Sequence, residues 1–197
     1  MPMFPLGSVL FPRMPLPLRI FEPRYREMLR VILPDEPSEF GVVLIERGFE
    51  VGGGDARMGV GTVAQIVQLA MTEDSVLLVA MGDRRIEVTE WLPDDPFPKA
   101  EVRVLPELEW SDDLQPLRDS TELLVRQALA RASEWGEVQW SPDVELGDDD
   151  PMEAVWQLAG IAPLGPLDQA SLLRATSAKQ LLERVTELVR DVDSLHP

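Results

Sequence analysis

Chemistry in a protein needs a nucleophile with a base, a metal site or a cofactor cradle, so the residues able to supply these come first. The only histidine is His196, one residue from the C-terminus, and there is no cysteine. A lone terminal imidazole cannot anchor a triad, and thiolate ligands and disulfides are ruled out. Neither lysine, Lys99 nor Lys179, stands in a G-x-x-x-x-G-K-[ST] loop, which removes ATP hydrolysis by that route. "VGGGDARMGVGT" offers Gly52, Gly53 and Gly54 for a phosphate. A dinucleotide fingerprint leads from a strand into a helix, however, and here β-type sequence lies on both sides. The stretch reads as a hairpin loop, flexible enough to act as a binding flap. Asp148, Asp149 and Asp150 are consecutive, so their side chains diverge, whereas calcium loops space their ligands on alternate residues. They suit a helix N-terminus better than a cation. The expectation is no catalytic residue, no metal and no cofactor.

What remains is binding chemistry. Glu22, Arg24, Tyr25 and Arg26 form the densest polar cluster beside apolar sequence, and Arg84 and Arg85 precede a strand pattern. The five tryptophans are irregularly spaced, which gives no base-stacking platform. Net charge is −17, but unevenly spread: residues 1–33 carry five Arg against two Glu, and residues 108–197 carry seven basic against eighteen acidic groups. Non-specific nucleic-acid binding is disfavoured, while a cationic client on the acidic half is not.

The elements that must position these residues begin with "MPMFPLGSVLFPRMPLPLRIFEPRYREML", which holds six prolines yet keeps Met14, Leu16, Leu18 and Ile20 at a spacing of two. That is a strand pattern. Pro15 and Pro17 remove donors from one edge only, so the segment reads as an edge strand blunted against further strand addition. Tyr25, Met28, Leu29 and Ile32 then predict a short amphipathic helix, opened by Pro23 and closed before Pro34. "FGVVLI", "GVGTVAQIVQL", "SVLLVAMG", "RRIEVTEWL" and "KAEVRVL" follow as β-branched runs with meander or small-barrel spacing. From Ser111 the pattern turns helical. One helix carries Leu117, Leu124, Val125, Ala128, Ala132 and Trp135, a second starts at an Asp150 cap with Pro151 and Glu153, and a third starts near Ser177 and Gln180 with Leu181, Val185, Leu188 and Val192 as its stripe. The expected domains are 1–107 and 112–197. A hydrophobic content of 45% supports a real core, and no signal peptide or apolar run of membrane-spanning length is visible, so a cytoplasmic protein is expected.

"FPLGSVLFPRMPLPLRIFEPRYREML", "FGVVLI", "GVGTVAQI" and "VLLVAMGDRRIEV", in that order, resemble the amino-terminal substrate-recognition domain of Lon proteases; "PLDQASLLRATSAKQLLERVTELV" is similar to the helical segment ending it. The resemblance implies an α+β fold: a PUA-like β-barrel with one embedded short helix, followed by a C-terminal helical bundle. Arg13 stands where that family commonly has glycine, and Ile86 where it commonly has an aromatic. The family's ATPase and protease modules have no counterpart in the chain, which points to the stand-alone form of the domain. The function implied is a non-catalytic polypeptide-binding module, monomer or weak dimer, with unfolded or degron-bearing polypeptides as partners and a separate protease or chaperone beside them. A groove between barrel and bundle is the expected docking place, with Met3, Phe4, Arg24, Tyr25 and the Gly52, Gly53, Gly54 loop as contact residues. RNA binding through Arg13, Arg19, Arg24, Arg26 and Arg30 is the alternative, since PUA-like folds include RNA binders. A hydrolase or small-molecule sensor ranks last.

Overall fold

The computed structural model describes residues 1–47, 56–136, 138–147 and 150–195. The chain divides into two compact units, Met1–Leu105 and Pro106–Pro197. The fold is α+β: a mixed six-stranded sheet with an early short helix, then a helical region.

In the first unit the strands are β1 (Met3–Leu6), β2 (Pro15–Ile20), β3 (Glu39–Arg47), β4 (Ala56–Met71), β5 (Val76–Leu92) and β6 (Lys99–Val104), with helix α1 (Pro23–Ile32) between β2 and β3. The sheet order is β1-β3-β4-β5-β2, and β6 pairs with β5. Among the described residues only the β1–β3 pair is parallel. Met1–Met3 also bonds to Pro98–Ala100: the Met3 N–H donates to the Pro98 carbonyl at 2.8 Å, and the Ala100 N–H to that of Met1 at 3.0 Å. Met3, Val43, Val63, Ile86 and Ala100 form a buried cluster, so Ile86 occupies a core position.

"SVLLVAMG" and "RRIEVTEWL", read as two runs, are one strand. Gly82 and Asp83 look like punctuation, yet β5 continues through them while its partner changes: β2 faces it up to Met81, and β6 from Ile86 onward. Gly82 is needed for a different reason. A Cβ there would lie 2.0 Å from the Phe11 carbonyl oxygen, so only glycine admits the preceding loop so closely.

That loop enters β2 through a turn in which the Met14 N–H donates to the Phe11 carbonyl at 3.2 Å, with Pro12 second and Arg13 third at φ 63°. Arg13 and Met14 together face Gly82: the Arg13 N–H donates to the Gly82 carbonyl, and the Gly82 N–H to that of Met14. A turn with Pro at its second position and positive φ at its third, running into two residues opposite one, is the type II turn with a glycine-type bulge. Arginine here fills a position that left-handed backbone reserves for glycine.

Helix α1 follows its spacing, burying Tyr25, Met28, Leu29 and Ile32, with Pro23 in its first turn. In the second unit a single helical turn (Asp112–Leu114) leads into α2 (Gln115–Trp135), followed by α3 (Pro151–Ile161), α4 (Pro166–Leu172) and α5 (Ala178–Leu195). The Asp150 carboxylate accepts from the Met152 N–H at 2.9 Å, and the Ser177 hydroxyl from the Gln180 N–H at 3.1 Å. Both predicted caps are therefore made. Helix α4 is a fourth segment that the sequence pattern did not separate. Val125 and Leu129 on α2, Leu158 on α3 and Leu181, Val185 and Val189 on α5 are buried, and Thr121 and Thr186 share a 3.0 Å hydroxyl contact between α2 and α5. Among the described residues no helix is long and apolar enough to cross a membrane.

Candidate functional site

The proline-blunted strand defines the geometry. Since Met14 receives the Gly82 N–H, the residues of β2 that point their backbone at β5 are the even ones: Leu16 opposite Ala80, Leu18 opposite Leu78, Ile20 opposite Val76. Pro15, Pro17 and Arg19 therefore turn their backbone to the free edge of the sheet. Two of these three positions have no N–H to offer, so a further strand finds carbonyls without the alternating donors that a ladder requires.

A groove of about 690 Å³ lies over β2, β4 and β5, lined by Pro17–Arg19, Gln68–Ala70 and Leu77–Val79. It is open to solvent on the face where Leu77, 43% exposed, stands opposite Ala70 of β4 and Arg19 of β2; Leu69 and Met71, opposite the buried Leu78 and Val76, belong to the other face. Beside it, a pocket of about 210 Å³ touches both outer strands of the sheet, with Phe4 of β1, Leu18 of β2, Phe21 and Tyr25 in its wall. The two cavities share Pro17, Leu18 and Arg19. Phe21, at 55% exposure, stands at the pocket.

The contact residues expected from the sequence fall in different places. Met3 is fully buried in the core cluster, where a Cβ on Gly41 would lie 2.5 Å from its sulfur; its side chain offers nothing to a partner. The expectation of a contact role for Met3 is thus replaced by a packing role. Phe4 and Tyr25 are brought together, their rings stacked at 4.0 Å with 22° between the planes, and both line the smaller pocket. Arg24 lies 4.5 Å over the Tyr25 ring and donates to Glu22 at 3.1 Å. Gly52, Gly53 and Gly54 lie outside the described residues, as do Asp148, Asp149 and His196; the flanking strands β3 and β4 pair antiparallel.

Of the five early arginines, Arg24 is engaged by Glu22 and Arg30 by Glu27. Arg84 joins β5 to the start of β3 through Glu39 at 2.6 Å and also pairs with Asp83. The hydrogen bond to Glu39 holds its guanidinium more firmly protonated than an ordinary arginine, against the opposing pull of partial burial. Burial pushes Arg85 the other way. Among the described residues no group of three His, Cys, Asp or Glu side chains converges as a metal site would require.

Sequence reasoning missed the groove. The available signal was "SVLLVA", apolar at both parities, whereas an antiparallel strand with one solvated face alternates. Val76, Leu78 and Ala80 fill the core and Leu77 faces outward, so the surplus apolar parity marks the groove.

The model of the ATP-dependent protease La (LON) substrate-binding domain matches residues 1–191. A Lon protease of Anaeromyxobacter dehalogenans is 34% identical over 118 residues, covering 58% of this chain and 14% of that protein. Lon protease 1 of Herpetosiphon aurantiacus is 25% identical over 213 residues, covering 96% and 24% respectively. The chain thus spans a quarter or less of the length of these relatives. Solved structures of Lon N-terminal domains share its fold. A Lon N-terminal domain protein from Xanthomonas campestris aligns with a TM-score of 0.68 at 24% identity, over 95% of this chain and 96% of that one. The N-terminal domain of the Mycobacterium avium complex Lon protease aligns at 0.65 and 18%, over 96% and 97%. With nearly its whole length matched, and with the first strands, α1 and the helical region in that order, the chain belongs to the family of Lon substrate-binding domains.

Proposed function

We propose that the chain is a non-catalytic polypeptide-binding module that takes exposed apolar stretches of unfolded or degron-bearing proteins into the groove over β2, β4 and β5. The observation that carries this is a three-strand apolar surface left uncovered beside an edge that strand addition cannot use. A soluble domain gains nothing from exposing Leu77 beside Ala70 and Pro17 on one sheet face unless a partner covers them. Main-chain pairing is blocked at Pro15 and Pro17, so recognition works through side chains burying apolar area, with sequence tolerance and modest affinity. Phe4 and Tyr25 contribute as the packed wall of the adjoining pocket, and Arg24 by holding the Tyr25 ring. The bonds joining Met1–Met3 to Pro98–Ala100 support a barrel-like closure of the sheet that keeps this wall rigid. Family membership agrees with the reading, and a separate protease or chaperone would act on what the module holds.

Titration of a labelled, permanently unfolded model protein, followed by fluorescence anisotropy, tests the proposal. Micromolar binding that leaves the labelled chain intact is expected; no binding, or cleavage of the bound chain, contradicts it.

A further inference from the structure

Arg19 lies in the wall shared by the groove and the pocket, and its side chain is exposed. Its Nε donates to the Ser75 hydroxyl at 3.2 Å, and among the described residues no carboxylate pairs with it. Glu22, which lines the same pocket, is taken by Arg24 at 3.1 Å. At the junction of two apolar cavities there is thus one cation without an anion, in an N-terminal stretch that is locally positive on a chain of net charge −17.

The two cavities differ in what they hold. About 210 Å³ suits a single large side chain, and about 690 Å³ a run of several residues. An extended chain filling both passes Arg19 between them. A carboxylate there lies inside the segment, flanked by apolar residues on both sides; a terminal carboxylate on Arg19 would leave one cavity empty.

We infer that the groove selects a polypeptide segment in which an acidic side chain lies between an aliphatic run on one side and one bulky apolar residue on the other, in either chain direction, with the acid seated on Arg19 and the bulky residue in the pocket beside Phe4 and Phe21. This rests on the polypeptide-binding reading and narrows it to a segment class. An exposed arginine–carboxylate contact adds modest affinity and more discrimination, because a lysine at the same place meets like charge.

The test compares short labelled peptides, blocked at both termini, consisting of an aliphatic run, one variable residue and a phenylalanine. Glu at the variable position is expected to bind about three- to fivefold more tightly than Gln, and Lys more weakly than either. Arg19→Gln should abolish the preference for Glu, and Arg19→Glu should turn it toward Lys; since Arg19 is exposed, both variants are expected to keep the wild-type melting temperature. Equal binding of the three peptides overturns the inference while leaving the polypeptide reading intact, as does a Glu preference that survives Arg19→Gln. So does tighter binding of a peptide whose only carboxylate is its C-terminus. A dimer of this chain that is dissociated by Leu77→Glu would put a second copy in the groove and overturn it too. If no peptide and no unfolded protein binds, the polypeptide reading itself falls.

Discussion

The ring of Tyr25 on α1 is stacked on that of Phe4 on β1, with 4.0 Å between centroids, and this contact joins the first helix to an outer strand of the sheet. The ring of Phe40 of β3 lies 5.9 Å from that of Phe4, tilted by 48°. A buried aromatic in such a cluster contributes both its apolar area and a pairwise term. Phe4→Ala is therefore expected to destabilise the first unit by roughly 3–5 kcal/mol. Phe4→Leu should cost about 1 kcal/mol, the loss of the stacking. Urea denaturation followed by circular dichroism measures both, and a Phe4→Leu variant as stable as the wild type would show that the ring geometry contributes nothing.

Arg13 and Gly82 make a pair of opposite predictions at one turn. Arg13 sits at φ 63°, so Arg13→Gly relieves left-handed strain and should raise stability by about 1 kcal/mol. Gly82→Ala forces a methyl toward the Phe11 carbonyl and should cost roughly 1–3 kcal/mol. Thermal melts of the two variants should move in opposite directions from the wild type.

These two residues also measure how far the sequence could be read. Helix α1 was visible because its four buried residues keep one face and Pro23 marks its start; Asp150 and Ser177 were visible because caps have local chemistry. The proline-blunted edge was legible from Pro15 and Pro17 alone. The continuity of β5 was not, since Gly82 carries the usual mark of a turn while its cause is a distant backbone, that of Phe11. Phe4 and Tyr25 could be named, but not their stacking, which depends on where β1 docks. The groove was hidden because Leu77 looks like a core residue until its pairing with Ala70 and Arg19 puts it on the outward face.

Pro15→Thr with Pro17→Thr would restore two N–H donors to the free edge of β2 without touching the pairs that face β5. Light scattering across a concentration series is expected to reveal association that the wild type lacks, through edge-to-edge pairing. A variant that stays as monodisperse as the wild type at every concentration would mean that the prolines do not protect this edge.

The caps of the helical unit give a calibrated check. Asp150→Ala and Ser177→Ala each remove a side-chain acceptor from an orphan N–H, at 2.9 and 3.1 Å, and should each cost about 1 kcal/mol. Their effects should add, because the caps open different helices. Denaturation of the double variant checks this against the sum of the singles.

The central claim is that uncovered apolar side chains over β2, β4 and β5 hold polypeptide. Its most direct measurement is anisotropy of a labelled unfolded protein titrated with the wild type, with Leu77→Asp, and with Leu123→Asp, which places the same charge on an exposed leucine of the helical unit. Micromolar binding by the wild type and Leu123→Asp, weakened at least about tenfold in the groove variant, is the predicted result. Equal binding by all three, or loss in Leu123→Asp alone, would contradict it.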